Sequence, residues 1–149
     1  MTSVKVTDNS QAFKDAKDRA VAAALEAIGQ EAAGNAIEEL TNQDAVDTGR
    51  LRNSIAFATE HHMDGHDFSW HEGRNGEPAG SDTTTPKAKP EKGTVYIGTN
   101  VEYAKYIEMG TSKSAARPYL KPAAENHGDE YKQIAEKYLK NSNSEYKDD

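Results

Sequence analysis

Apolar side chains recur along the first third of the chain at spacings of three, four and their multiples. Phe13, Val21, Leu25, Ile28, Ala32, Ile37 and Leu40 follow this pattern, padded with alanines. Lys14, Asp15, Lys17, Asp18, Glu26, Glu38 and Glu39 fall mostly on the other side. A period near 3.6 residues predicts one amphipathic helix from about Gln11 to Thr41. Asp8, Asn9 and Ser10 offer N-cap oxygens before it, and Gln11 stands three residues after Asp8, where a capping box would place it. Gly29 and Gly34 each cost about 1 kcal/mol against Ala inside a helix. Their presence predicts a kink or a close contact.

The period changes after Asn42-Gln43-Asp44. Leu51 and Ile55, four apart, predict a short helix that Asp47 or Thr48 caps with a side-chain oxygen. Ile55 to Thr59 then alternates like a half-buried strand, and Thr94 to Gly98 does the same with Val95 and Ile97 on one face. His66 to His71, with Phe68 and Trp70, reads as a further strand. The stretch Gly76 to Lys92, with Pro78, Pro86 and Pro90, reads as a mobile arm that buries little surface. Thr99 and Glu102 have capping-box spacing and predict a helix from Val101 to Met109. Gly110 would end it in the left-handed conformation. Pro118 and Pro122 flank the entry to a last helix, whose stripe is Ala123, Ala124, His127, Tyr131, Ile134 and Tyr138. A polar tail follows from Asn141 to Asp149. The expected class is α+β: a long N-terminal helix, a small antiparallel sheet with a long hairpin arm, a short helix and a C-terminal helix. All 149 residues fit one domain, with an insertion at about 61–92. Leu51, Ile55, Val95, Ile97, Ile107 and Leu120 are its expected core.

Composition changes this picture in one respect. Only 35% of residues are apolar and 29% are charged, and the mean hydropathy is −0.92. Such a chain builds a thin core and completes its burial against other subunits. No stretch approaches the roughly 20 apolar residues of a membrane span. The chain has no cysteine, which removes disulfides, thiol nucleophiles and cysteine-based zinc sites together. The net charge of −7 disfavours nucleic-acid binding over the whole surface.

Candidate chemistry is sparse. His61, His62, His66 and His71 lie close in sequence beside Glu60, Asp64, Asp67 and Glu72. Imidazole and carboxylate are suitable ligand types for a transition metal, and a metal-dependent hydrolase is the enzyme such a cluster would serve. The spacing argues for solvated histidines instead, because neighbours on a strand point to opposite faces. Lys113, Arg117 and Lys121 form a basic island with no acid between Met109 and Ala124. It suits either a phosphate backbone, in a nucleic-acid-binding module, or an acidic protein surface, and no aromatic stacking platform favours the first. Arg50, Arg52, Tyr103 and Tyr106 extend the candidate interface. No catalytic grouping, metal site or cofactor is expected.

Four blocks in order carry a family resemblance. They are Asp47–Ile55 (DTGRLRNSI), Gly98–Ala104 (GTNVEYA), Glu108–Thr111 (EMGT) and Arg117–Ala123 (RPYLKPA). The chain resembles the tail-component family of long-tailed phages, the small neck and tail-completion proteins that join the filled head to the tail. The insertion His61–Lys92 is longer and richer in histidine than that family's pattern. The resemblance implies a non-enzymatic virion protein, made in the host cytoplasm and built into a homo-oligomeric ring. Head-closure or connector proteins would lie on one side and tail terminator or tail tube proteins on the other. Double-stranded DNA would only pass through the channel, and no membrane would be involved. Asp47, Thr48, Gly49, Leu51, Gly98, Thr99, Gly110, Pro118 and Pro122 are then architectural.

Overall fold

The computed structural model describes residues 3–4, 8, 10–43 and 49–144. Helix α1 (Ser10–Asn42) leads, and the Ser10 N–H donates to Asp8 Oδ1 at 2.9 Å. Bonds from Ser10 hold the Asp8 carboxyl below its usual range. The capping box does not form, because Gln11 Nε2 donates forward to Asp15 Oδ1 at 2.9 Å. The buried side of α1 is mainly alanine, with Ala16, Ala24, Ala32, Ala33 and Ala36 ending at Leu40. Small residues let other elements approach the helix closely. At Gly29 an added Cβ would sit 2.4 Å from a ring carbon of Phe57, which explains one of the two helical glycines.

After α1 come α2 (Arg50–Asn53), β1 (Ala56–Ala58), β2 (Asp67–Trp70), β3 (Gly80–Thr83), β4 (Tyr96–Gly98), α3 (Ala104–Met109), α4 (Leu120–Glu125) and α5 (Gly128–Ser144). The class is α+β, as the sequence pattern predicts. Strands β1 and β4 pair antiparallel, with Phe57 opposite Ile97. Strands β2 and β3 form a separate two-stranded hairpin, with Phe68 opposite Asp82 and Ser69 opposite Ser81. The core lies where the second half of α1 meets α2, α3 and α4. It contains Leu40, Leu51, Ile55, Val101, Ala104, Tyr119 and Ala123, with Ile97, Ile107 and Leu120 packed partly buried against it.

Several boundaries differ from the sequence expectation. Helix α3 starts at Ala104, three residues late, because the capping pair is used otherwise. Thr99 Oγ1 accepts from Val101 N at 3.1 Å, and Glu102 turns away to Arg50. The last helix is two helices, α4 and α5, separated at Asn126-His127 ahead of the glycine that opens α5. Gly110 has φ 75° and ψ 177°, a positive-φ extended conformation outside the αL region. A Cβ there would meet Ala116 N at 2.6 Å, so the position is closed to side chains for two reasons. Val95 is half-buried and outside the core cluster. Inside the segment expected to lack structure, β3 forms and Thr84 and Pro90 are buried. Asp47 and Thr48 lie outside the described residues.

Candidate assembly interface

The four sequence blocks meet in space. Ser54, from the first, is fully buried. Its hydroxyl donates to Leu51 O at 2.7 Å and lies 2.5 Å from the hydroxyl of Thr99, from the second block. Glu108, from the third, accepts three backbone N–H groups from the fourth. Its Oε2 takes Tyr119 N at 2.8 Å and Leu120 N at 3.0 Å, and its Oε1 takes Lys121 N at 3.0 Å. The start of a helix leaves N–H groups without intrahelical partners, and a carboxylate held against them is favoured by charge as well. The first turn of α4 is thus capped from a distance, by a residue 11 to 13 positions upstream of the three N–H groups it accepts. Neither the Glu108 role nor the Ser54–Thr99 link was foreseen, although all three residues lie in the quoted blocks.

Tyr119 locks this joint. It is completely buried, and its hydroxyl donates to Ala104 O at 3.4 Å. Burial, reinforced by the nearby Glu108 and then Tyr103, pushes its phenol far above the usual range. Tyr131 on α5 makes a second polar link, donating to Ala123 O and accepting from Asn35 Nδ2 at 3.0 Å. Its phenol is raised chiefly by burial.

The predicted interface residues divide into two groups. Arg50 is turned inward. Its guanidinium lies 4.7 Å from the Trp70 ring and 5.8 Å from the Tyr103 ring. It also pairs with Glu77 at 3.2 Å and Glu102 at 3.4 Å. This arrangement fastens the β2–β3 hairpin to the second block. Asn53 strengthens the joint by donating to Ser69 O at 2.9 Å, and His66 Nε2 lies 3.0 Å from Asn53 O. Arg52 stays local, its Nε 3.3 Å from Asn53 Oδ1. Lys113, Arg117 and Lys121 are exposed, as are Tyr106 and Met109 on α3. Residues 111–118 are exposed throughout, yet the loop is internally tied. Thr111 N donates to Ser114 O at 2.8 Å, and Arg117 N donates to Ile107 O at 2.8 Å.

The histidines diverge. His61 is beside Glu60 at 3.7 Å, and His62 reaches Glu26 on α1 at 2.8 Å. His66 faces Asn53, and His71 is exposed on the hairpin. Among the described residues no three His, Cys, Asp or Glu side chains are grouped to hold a metal ion. Among them, too, no helix is long and apolar enough to cross a membrane.

A family model described as Bacteriophage HK97-gp10, putative tail-component, matches residues 5–110. The chain belongs to this family. The match takes in the first two blocks and Glu108–Gly110 of the third, while Arg117–Ala123 lies beyond it. No curated protein and no solved structure matches the chain. Membership gives this phage tail component a structural, virion-associated role.

Proposed function

We propose that this tail component works at the neck, joining the DNA-filled head to the tail after packaging. Copies of the chain form a ring, one face of which meets a head-closure or connector protein while the other meets a tail terminator or tail tube protein. The observation that carries the proposal is the family match over residues 5–110, which covers most of the interlocked scaffold. Two physical features support it. The motif residues Ser54, Thr99, Glu108 and Tyr119 spend their polar atoms on one another and on backbone, which is the work of a scaffold. The thin core leaves Tyr106 and Met109 half or more exposed, surface that a neighbouring subunit would cover.

The mechanism is geometric rather than catalytic. A net charge of −7 per copy, repeated around a ring, raises the free energy of DNA contact and keeps a channel free of adhesion. Deleting the gene in the producing phage tests the proposal. Electron microscopy should show filled heads and full-length tails that are not joined. Empty or missing heads, or tails of abnormal length, would place the protein elsewhere in assembly.

A further inference from the structure

Strand β4 has a free edge. Asp64 N donates to Phe57 O at 3.0 Å, so the Phe57 carbonyl faces away from β4. Phe57 lies directly opposite Ile97, which makes the two a non-hydrogen-bonded pair of the ladder. The N–H and C=O of Ile97 therefore point outward, away from β1, and among the described residues no hydrogen bond reaches them. Val95, two residues earlier, continues the alternation and points the same way. Soluble proteins guard such an edge with charge, proline or a bulge. Thr94–Gly98 (TVYIG) has neither charge nor proline, its pairing with β1 runs without a bulge, and Tyr96 stands 48% exposed in it.

The outer face of the same sheet carries a matching recess. Phe57 packs on Gly29 of α1, so Phe57 and Ile97 face that helix, and Ala56, Ala58, Tyr96 and Gly98 face the other way. On this outer side lies a cavity of about 330 Å³, with Ala56, Ala58 and Gly98 in its lining. Nothing inside the chain requires glycine at position 98. Its φ is not positive, and an added Cβ would meet nothing within 4 Å. Glycine weakens a strand interior, and without a bulge its use there is the close approach of another group.

We propose that the β4 edges of two copies pair antiparallel about a two-fold axis at Tyr96. Val95 and Ile97 of one copy then face Ile97 and Val95 of the other, and their outward groups form four N–H···O=C bonds. The partner is a second copy of this chain because the edge complements itself: its donors and acceptors lie symmetrically on either side of Tyr96. Tyr96 meets its counterpart in a non-hydrogen-bonded pair and lies diagonal to the other copy's Gly98. Each ring thus covers the other copy's glycine at the mouth of the cavity. A ribbon of two three-residue strands is marginal alone, and the pair turns it into a four-stranded sheet. The contact is isologous and makes pairs rather than rings, so it goes beyond the neck reading and is tested apart from it.

The purified full chain, with no other phage component, is weighed by sedimentation over a range of concentrations. Twice the 16.3 kDa of one chain is expected, and a monomer at every concentration overturns the pair. Tyr96→Lys places a charge on the axis and should give a monomer with the far-UV spectrum of the wild type. If it stays associated, another surface holds the copies and the inference fails. Because the chain has no cysteine, single cysteines read the register. Under mild oxidation Tyr96→Cys should give a disulfide-linked dimer, since residue 96 faces itself across the axis. Val95→Cys should not, since its counterpart lies diagonally, beyond disulfide reach. No link at 96, or equal linking at both positions, overturns the pairing in whatever assembly the chain forms. The Ile97 amide should exchange slowly in the wild-type pair and quickly in Tyr96→Lys; equal rates would rule out pairing through the backbone.

Discussion

The block-built core and the β2–β3 hairpin are held by different means. In the core, short segments far apart in sequence are linked through buried side chains: Ser54 to Thr99, Glu108 to the α4 N-terminus, and Tyr119 beneath both. The hairpin has two four-residue strands and one buried hydrophobic side chain among them, Phe68. It stays in place through Arg50, Asn53 and His66, which reach it from α2 or from its own base. A core of this kind is specified by residue identity at a few positions. A hairpin of this kind depends on one polar joint, and its own sequence is otherwise loosely constrained.

The largest effect should come from Tyr119→Ala. Removing a fully buried aromatic residue is expected to cost about 3–5 kcal/mol, read by urea or thermal unfolding. The same residue predicts an alkaline limit. Its phenol has a raised pKa in the fold, so the native state holds its proton above pH 10, where the unfolded chain, with an ordinary tyrosine near 10, has begun to lose it. The stability that Tyr119 contributes should therefore be fully present below about pH 10 and be lost as pH rises above it; the Tyr119→Phe variant should fall less steeply in that alkaline range.

The two helical glycines separate the buried side of α1 from its open side. Gly29→Ala forces Phe57 to move and should cost about 1–3 kcal/mol. Gly34→Ala meets nothing and should stabilise the isolated chain by about 1 kcal/mol. A destabilised Gly34→Ala would show that something in the chain occupies that space. Glu108→Ala leaves three helix-start N–H groups without their carboxylate and should cost about 2 kcal/mol. The smallest global effect should follow Arg50→Met. Amide exchange in β2 and β3 should accelerate while the protection of α1 changes little. Equal loss of protection in both would mean that hairpin and core unfold as one unit.

The difference between the regions also governs what could be read from sequence. Helix α1 was legible as an element, but its expected apolar stripe was not its buried side: of that stripe only Ala32 and Leu40 are buried and Phe13 is exposed, because alanines and Gly29 make the close contacts; β1 and β4 were legible because Phe57 and Ile97 sit in short apolar runs. Strand β3 was not: Gly80, Ser81, Asp82 and Thr83 carry no apolar pattern, and their pairing with β2 is backbone chemistry that any sequence supplies. The late start of α3 follows from a competition between partners. Glu102 had correct capping spacing, but Arg50, remote in sequence, claimed its carboxylate. Arg50 misled in the same way, since a charge that looks like surface becomes interior once two aromatic rings and two acids surround it. Lys113, Arg117 and Lys121 are exposed, as their acid-free stretch from Met109 to Ala124 suggests.

The central claim is that this tail component completes the joint between two finished parts. Heads and tails from the deletion phage, mixed with purified protein, test it most directly. The account predicts that adding the chain alone restores joined, infectious particles in proportion to the amount added, and that Arg117→Glu protein of normal stability restores about tenfold fewer. Heads and tails that join equally well without the protein, or that stay apart whatever amount is added, would contradict it.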